Sequence, residues 1–154
     1  MKSLLTALTL GVILVPPVSA QTSKPMPMEQ LAAYNKPDRE KVLYGGAKNE
    51  GKITWYTSLA GESYKQLAAA FEAKYPGIKV ESYRATRQEM SARITAESQA
   101  QRYIVDTIET TIPLLKLLKE NSMLVPYYFP TQAKFSDNTK EKTAKGLVFW
   151  AIDR

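Results

Sequence analysis

Two short clusters of small hydroxyl residues, Thr57-Ser58 and Thr110-Thr111, each follow a β-branched run and precede a helical pattern. Hydroxyls placed there can donate to a carboxylate, phosphate or carbonate without filling a cleft, which makes these four the candidate solute-binding residues. The same residues serve equally as helix caps, so composition leaves solute contact and capping both open. The nearby acids are Glu97, Asp106 and Glu109. At a strand end Glu109 reads as a surface or ion-pair residue before a ligand, and Asp106 reads as structural. Arg84 and Arg87 stand where an anion could be attracted, although a solvated surface role is the simpler one. The adjacent Tyr127 and Tyr128 lie in a proline-punctuated stretch, where rings pack a turn and hydroxyls stay wet.

What the chain lacks narrows its chemistry further. It contains neither histidine nor cysteine. A Ser-His-Asp or Cys-His nucleophile, a histidine general base, a histidine zinc site and a disulfide framework are therefore excluded. No cofactor and no resident metal are expected. An enzyme working with carboxylates alone would draw on Glu97 and Asp106 as an acid/base pair. Those two sit at opposite ends of a helix-loop step with no glycine-rich or aromatic cleft between them, so an enzyme is not expected.

The elements that must position these residues follow from periodicity. A short helical turn is expected near Met28–Tyr34, and a helix from Pro37 to a stop at Gly51. Lys52 to Thr57, β-branched and aromatic, reads as a first strand. Tyr64, Leu67, Ala68, Phe71 and Tyr75 recur at the spacing of one helix face, which Pro76-Gly77 ends. Ile78, Val80 and Ser82 alternate with Lys79, Glu81 and Tyr83 as a second strand. A helix over about 86–101 buries Met90 and Ile94 and turns Arg93 and Glu97 outward. Residues 104–109 form a third strand. Thr110 or Thr111 caps the next helix, with Pro113 in its first turn, Leu114, Leu115, Leu117 and Leu118 on its apolar face, and Asn121 as its stop. A polar stretch to Lys145 and a strand over 146–152 close the chain. Strands alternating with helices predict an α/β layer with a parallel sheet, whose ligands bind off the carboxyl ends of the strands.

Residues 1–20 read as a cleavable secretory signal, with Lys2, an apolar stretch from Leu4 to Val15, and small residues up to cleavage after Ala20. The apolar stretch is shorter than the ~20 residues a spanning helix needs. Without cysteine no lipid can be attached at a processed N-terminal cysteine, so the exported product is expected free in the periplasm. Removing the signal lowers the formal charge from +6 to +5. Basic residues are scattered among acids rather than clustered, which argues against nucleic-acid binding. Residues 21–36 read as a flexible leader and 37–154 as one domain.

Several segments together resemble a known family: Arg39-Glu40-Lys41-Val42-Leu43, the run from Gly46 to Ser58, Phe71 to Glu81, Ser91-Ala92-Arg93-Ile94 with Glu97 and Asp106, and Leu114 to Pro130. In order and spacing they are similar to the ferric-iron-type family of solute-binding proteins of ABC transporters, over about residues 30–150. The resemblance implies the parallel-sheet first lobe of a type II periplasmic-binding-protein fold, incomplete here. It also implies a full protein of roughly twice this length, whose lobes close on a solute and are read by a cognate membrane permease. The implied solute is a small anion, ferric iron or another metal complex, and the implied state is a monomer. Iron-binding members use a first-lobe histidine or acid. Ala60 stands near the histidine position and Thr111 at the acid position, with Glu109 close by. The expectation is a truncated product or partial record; a nonfunctional fragment is the alternative.

Overall fold

The structure, a computed structural model, describes residues 26–152. The expected signal at 1–20, the first five leader residues and residues 153–154 lie outside the described residues. Among the described residues no helix is long and apolar enough to cross a membrane.

The elements run α1 (Met28–Ala32), α2 (Arg39–Glu50), β1 (Lys52–Thr57), α3 (Ser63–Lys74), β2 (Lys79–Arg84), α4 (Arg87–Gln99), β3 (Thr107–Glu109), α5 (Ile112–Glu120), β4 (Lys140–Lys142) and β5 (Val148–Ala151). Two short 3-10 turns, Pro130–Lys134 and Asp137–Thr139, precede β4. The main sheet has three parallel strands in the order β2-β1-β3. The fold is thus mixed α/β with a parallel sheet, as the alternation of patterns requires. β1 pairs with β2 along its whole length, from Lys52 with Lys79 to Thr57 with Arg84. Its other edge meets β3 only at the far end, from Trp55 with Thr107 to Thr57 with Glu109.

One face of this sheet carries the core. Tyr56 packs with Met90 and Ile94 of α4 and with Leu114 and Leu118 of α5, and Tyr83 and Ile108 pack around them. α4 begins where it does because Thr86 and Glu89 form a reciprocal capping box, the Glu89 N–H donating to the Thr86 hydroxyl at 3.3 Å and the Thr86 N–H to the Glu89 carboxylate at 2.8 Å. The Thr86 N–H, and the Thr86 hydroxyl that also donates to this carboxylate at 2.8 Å, hold the Glu89 carboxyl below its ordinary pKa. In α5 the buried stripe is Leu114, Leu115 and Leu118. Leu117, expected on the apolar face, falls to the side of that stripe and is 44% exposed. The other sheet face is thinly covered. No residue of α3 is buried, and Leu67 is 55% exposed.

Three further features depart from the sequence pattern. β3 starts at Thr107 and not at Ile104, because the Asp106 side chain takes the Thr54 N–H at 2.7 Å while the Asp106 N–H donates to the Thr54 carbonyl at 3.0 Å. A side-chain oxygen there accepts the bond that a ladder carbonyl would otherwise take. Glu97, expected to face solvent, is instead tucked in, its side chain 12% exposed. It accepts the Tyr56 hydroxyl at 2.6 Å and the Arg93 Nε–H at 2.8 Å, since a fully buried phenol must find an acceptor. The polar stretch before Lys145 contains β4, which pairs antiparallel with β5. Lys119 ties that hairpin to α5 through Glu141 and lies 5.1 Å from the centre of the Phe149 ring.

The leader's end is fastened by one cation. Arg39, only 9% exposed, donates to the carbonyls of Leu31, Tyr34 and Tyr128, and the Tyr128 N–H donates to the Ala32 carbonyl at 2.8 Å. The turn after α1, the start of α2 and the stretch after α5 therefore meet at a single guanidinium, whose planar fork suits several acceptors at once.

Burial, then the bond to Glu97, pushes the Tyr56 hydroxyl up to about 12, against ~10 for an unfolded tyrosine. Because the folded form holds this proton more tightly, the contribution is complete below pH ~10. It is lost as pH climbs from there to about 12. Thermal melts should show a midpoint that drops across this window. Tyr56→Phe should lose about 2 kcal/mol at neutral pH and part of the alkaline drop, measured by chemical denaturation. A Tyr56→Phe chain as stable as wild type would show that the bond carries no weight.

Candidate functional site

The carboxyl ends of β1, β2 and β3 lie side by side, and each runs into the start of a helix. In the order β2-β1-β3 the chain leaves β1 toward β2 and then returns across β1 to β3, so the direction of the connections reverses at β1, and ligands of open α/β sheets bind beside such a switch point. In register, Thr57 stands between Arg84 on one side and Glu109 on the other. Paired residues of neighbouring strands share a face, so these three form one row across the sheet edge.

Glu109 is the hub of that row. Its Oε2 accepts the Thr57 hydroxyl at 2.7 Å and the Ser58 N–H at 2.9 Å, and the Ser58 hydroxyl lies 3.3 Å away. Its Oε1 has only the Ser58 hydroxyl, at 3.4 Å. Thr57 is fully buried and doubly used, since its Oγ1 also accepts the Leu59 N–H at 3.1 Å. Its hydroxyl is therefore spent inside the protein, and Thr57 positions Glu109 rather than offering a donor to a solute. Ser58 has given its N–H to the same carboxylate and keeps a hydroxyl with only long contacts. Thr110, the next residue after the hub, has a buried hydroxyl with no partner among the described residues. Thr111 is the N-cap of α5 by backbone position, makes no side-chain cap bond and is exposed.

Of the four hydroxyl residues singled out from the sequence, Thr57 and Ser58 meet at Glu109, while Thr110 and Thr111 follow it along the chain. Glu109 itself, which the sequence pattern makes a surface or ion-pair residue, is the group that gathers the others. Only the register shows this, because it decides which residue of β3 stands beside Thr57. Arg84 is likewise more than a solvated side chain: its Nε donates to the Leu59 carbonyl at 2.7 Å, which pins the guanidinium over the loop after β1. Arg87 lies away from this row, at one end of an open groove of about 510 Å³ between α4 and α5 whose walls include Ser91, Thr95, Pro113 and Leu117.

The remaining candidates are engaged elsewhere. Glu97 is held by Tyr56 and Arg93, and Asp106 by the Thr54 backbone. The two carboxylates offered as an acid/base pair thus serve two separate structural knots. Tyr127 pairs with Val148 through two backbone hydrogen bonds of 3.0 and 2.9 Å, and burial raises its hydroxyl pKa. Tyr128 lies under the Arg39 guanidinium, 5.6 Å from its ring centre. Among the described residues no group of three or more acidic, histidine or cysteine side chains could hold a metal ion. No protein-family model matches the chain, and no curated protein matches it.

Truncating the hub separates geometry from charge. Glu109→Ala leaves the buried Thr57 hydroxyl without its acceptor and should cost about 1–3 kcal/mol in urea denaturation. Glu109→Gln keeps an oxygen in place and should lose clearly less. An alanine variant as stable as wild type would mean that water replaces the carboxylate.

Proposed function

We propose that this chain is the solute-capture component of an ABC-type import system, exported to the periplasm and presenting its ligand to a cognate membrane permease. The observation that carries the proposal is the convergence of Ser58 and Glu109 beside the switch point of a parallel sheet, with Thr110 next along the chain. That is where an open α/β sheet holds a small ligand. The family resemblance supplies the transport context and the first-lobe assignment within a type II binding-protein fold. The thinly covered α3 side, with Leu67 exposed, fits a lobe that packs against further chain.

Of the solutes the resemblance implies, a bare anion fits the edge poorly. Glu109 already occupies the Ser58 N–H and the Thr57 hydroxyl and sets a negative charge beside the donors that remain. A solute with cationic character fits better, because Glu109 Oε1 retains unused lone pairs. A ferric or other metal complex would have to bring most of its ligands with it, since Glu109 is a single carboxylate at this edge.

Thermal melts of the purified chain against a panel of phosphate, bicarbonate, ferric citrate and small amine-bearing or carboxylate solutes test the proposal. At least one solute should raise the midpoint, with stabilisation approaching about 2.7 kcal/mol at a hundredfold excess over Kd. Glu109→Gln should abolish or sharply reduce that rise. A panel that leaves the midpoint unmoved at millimolar concentrations sinks the solute-capture reading.

A further inference from the structure

The row Arg84, Thr57, Glu109 places opposite charges on the two sides of one strand end. Arg84 is anchored on the Leu59 carbonyl and Glu109 on the Ser58 N–H, so the guanidinium and the carboxylate flank two consecutive residues of the same loop. Their α-carbons, two strand spacings apart, are separated by roughly 10 Å. Even so, no ion pair joins them among the described residues. Each anchor uses only part of its group. Arg84 donates through Nε and keeps both terminal nitrogens, while Glu109 satisfies Oε2 and leaves Oε1 with one long contact.

A positive and a negative group are thus held apart over one loop, each with hydrogen-bonding capacity to spare. We propose that this edge captures a small amino-carboxylate, its ammonium group received by Glu109 and its carboxylate by Arg84. The terminal nitrogens of Arg84 form a fork that matches a carboxylate, and Glu109 Oε1 accepts from an ammonium. The Ser58 hydroxyl, 3.4 Å from that oxygen, is free to turn toward either end of the solute. A solute of one sign would satisfy one group and leave the other opposite charge unused, which gives the site its selectivity. The inference rests on the solute-capture reading of this edge and adds the class of solute.

The test is calorimetric titration and thermal melting of the full chain with glycine, β-alanine and γ-aminobutyrate, whose charges are progressively further apart. Acetate, methylammonium, phosphate and ferric citrate serve as the single-group and metal controls. At least one amino-carboxylate should bind, and acetate and methylammonium should each bind about tenfold or more weakly. Arg84→Gln and Glu109→Gln should each weaken binding of that amino-carboxylate by about tenfold or more. Arg84 is exposed, so R84Q should melt like wild type without ligand, and its loss of binding would report the site rather than the fold. Binding of phosphate or ferric citrate with none of the amino-carboxylates overturns this inference while keeping the solute-capture reading. Unchanged affinity in R84Q also overturns it, and binding of nothing in the panel removes both.

Discussion

Every element of the main sheet is located by β1, the one strand bonded on both edges. Its buried residues, Thr54, Tyr56 and Thr57, face both layers. A parallel strand in that position must satisfy its backbone on each side and its side chains on each face. β2 supplies one edge along the full length. The other edge is supplied first by Asp106, through its side chain and backbone, and then by β3. The short β3 is a consequence: three ladder positions suffice once Asp106 has taken the Thr54 amide.

The same strand creates the polar demands that the neighbouring helices meet. Tyr56 is wholly buried with its hydroxyl on the core side, and α4 answers with Glu97, itself neutralised by Arg93. The Arg93 guanidinium also lies 4.2 Å from the centre of the Tyr83 ring and 4.9 Å from that of Tyr56, so one cation caps two aromatic rings and one carboxylate. Thr57, on the opposite face, needs an acceptor at the sheet edge and finds Glu109. Arg39 does comparable work among carbonyls, binding three chain segments that share no strand. In a domain with a small apolar cluster, such polar knots fix which arrangement of the elements is adopted.

The proposed function inherits this arrangement. The acceptor that β1 requires at its carboxyl end is also the residue best placed to meet a solute, because half of its carboxylate is consumed by positioning and half is left open. In the proposed solute capture, stability and recognition are coupled at Glu109. Glutamine would retain the shape and lose the charge, whereas alanine would disturb both.

The sequence by itself determined the order and type of the elements from α1 to α5 and the exclusion of histidine and cysteine chemistry. Those properties follow from local periodicity, turn residues and composition, which act over a few neighbouring residues. It also singled out Thr57, Ser58, Thr110 and Thr111, since hydroxyls at strand-to-helix junctions are recognisable without knowing what stands opposite. Only the tertiary structure decided that Glu109 gathers Thr57 and Ser58, that Glu97 turns inward to Tyr56, that residues 140–142 pair with β5, and that Arg84 and Glu109 face each other across Thr57. All but the β4–β5 hairpin join residues far apart in the chain. The register that brings them together is set by the packing of both sheet faces at once, a constraint that no local pattern of residues carries.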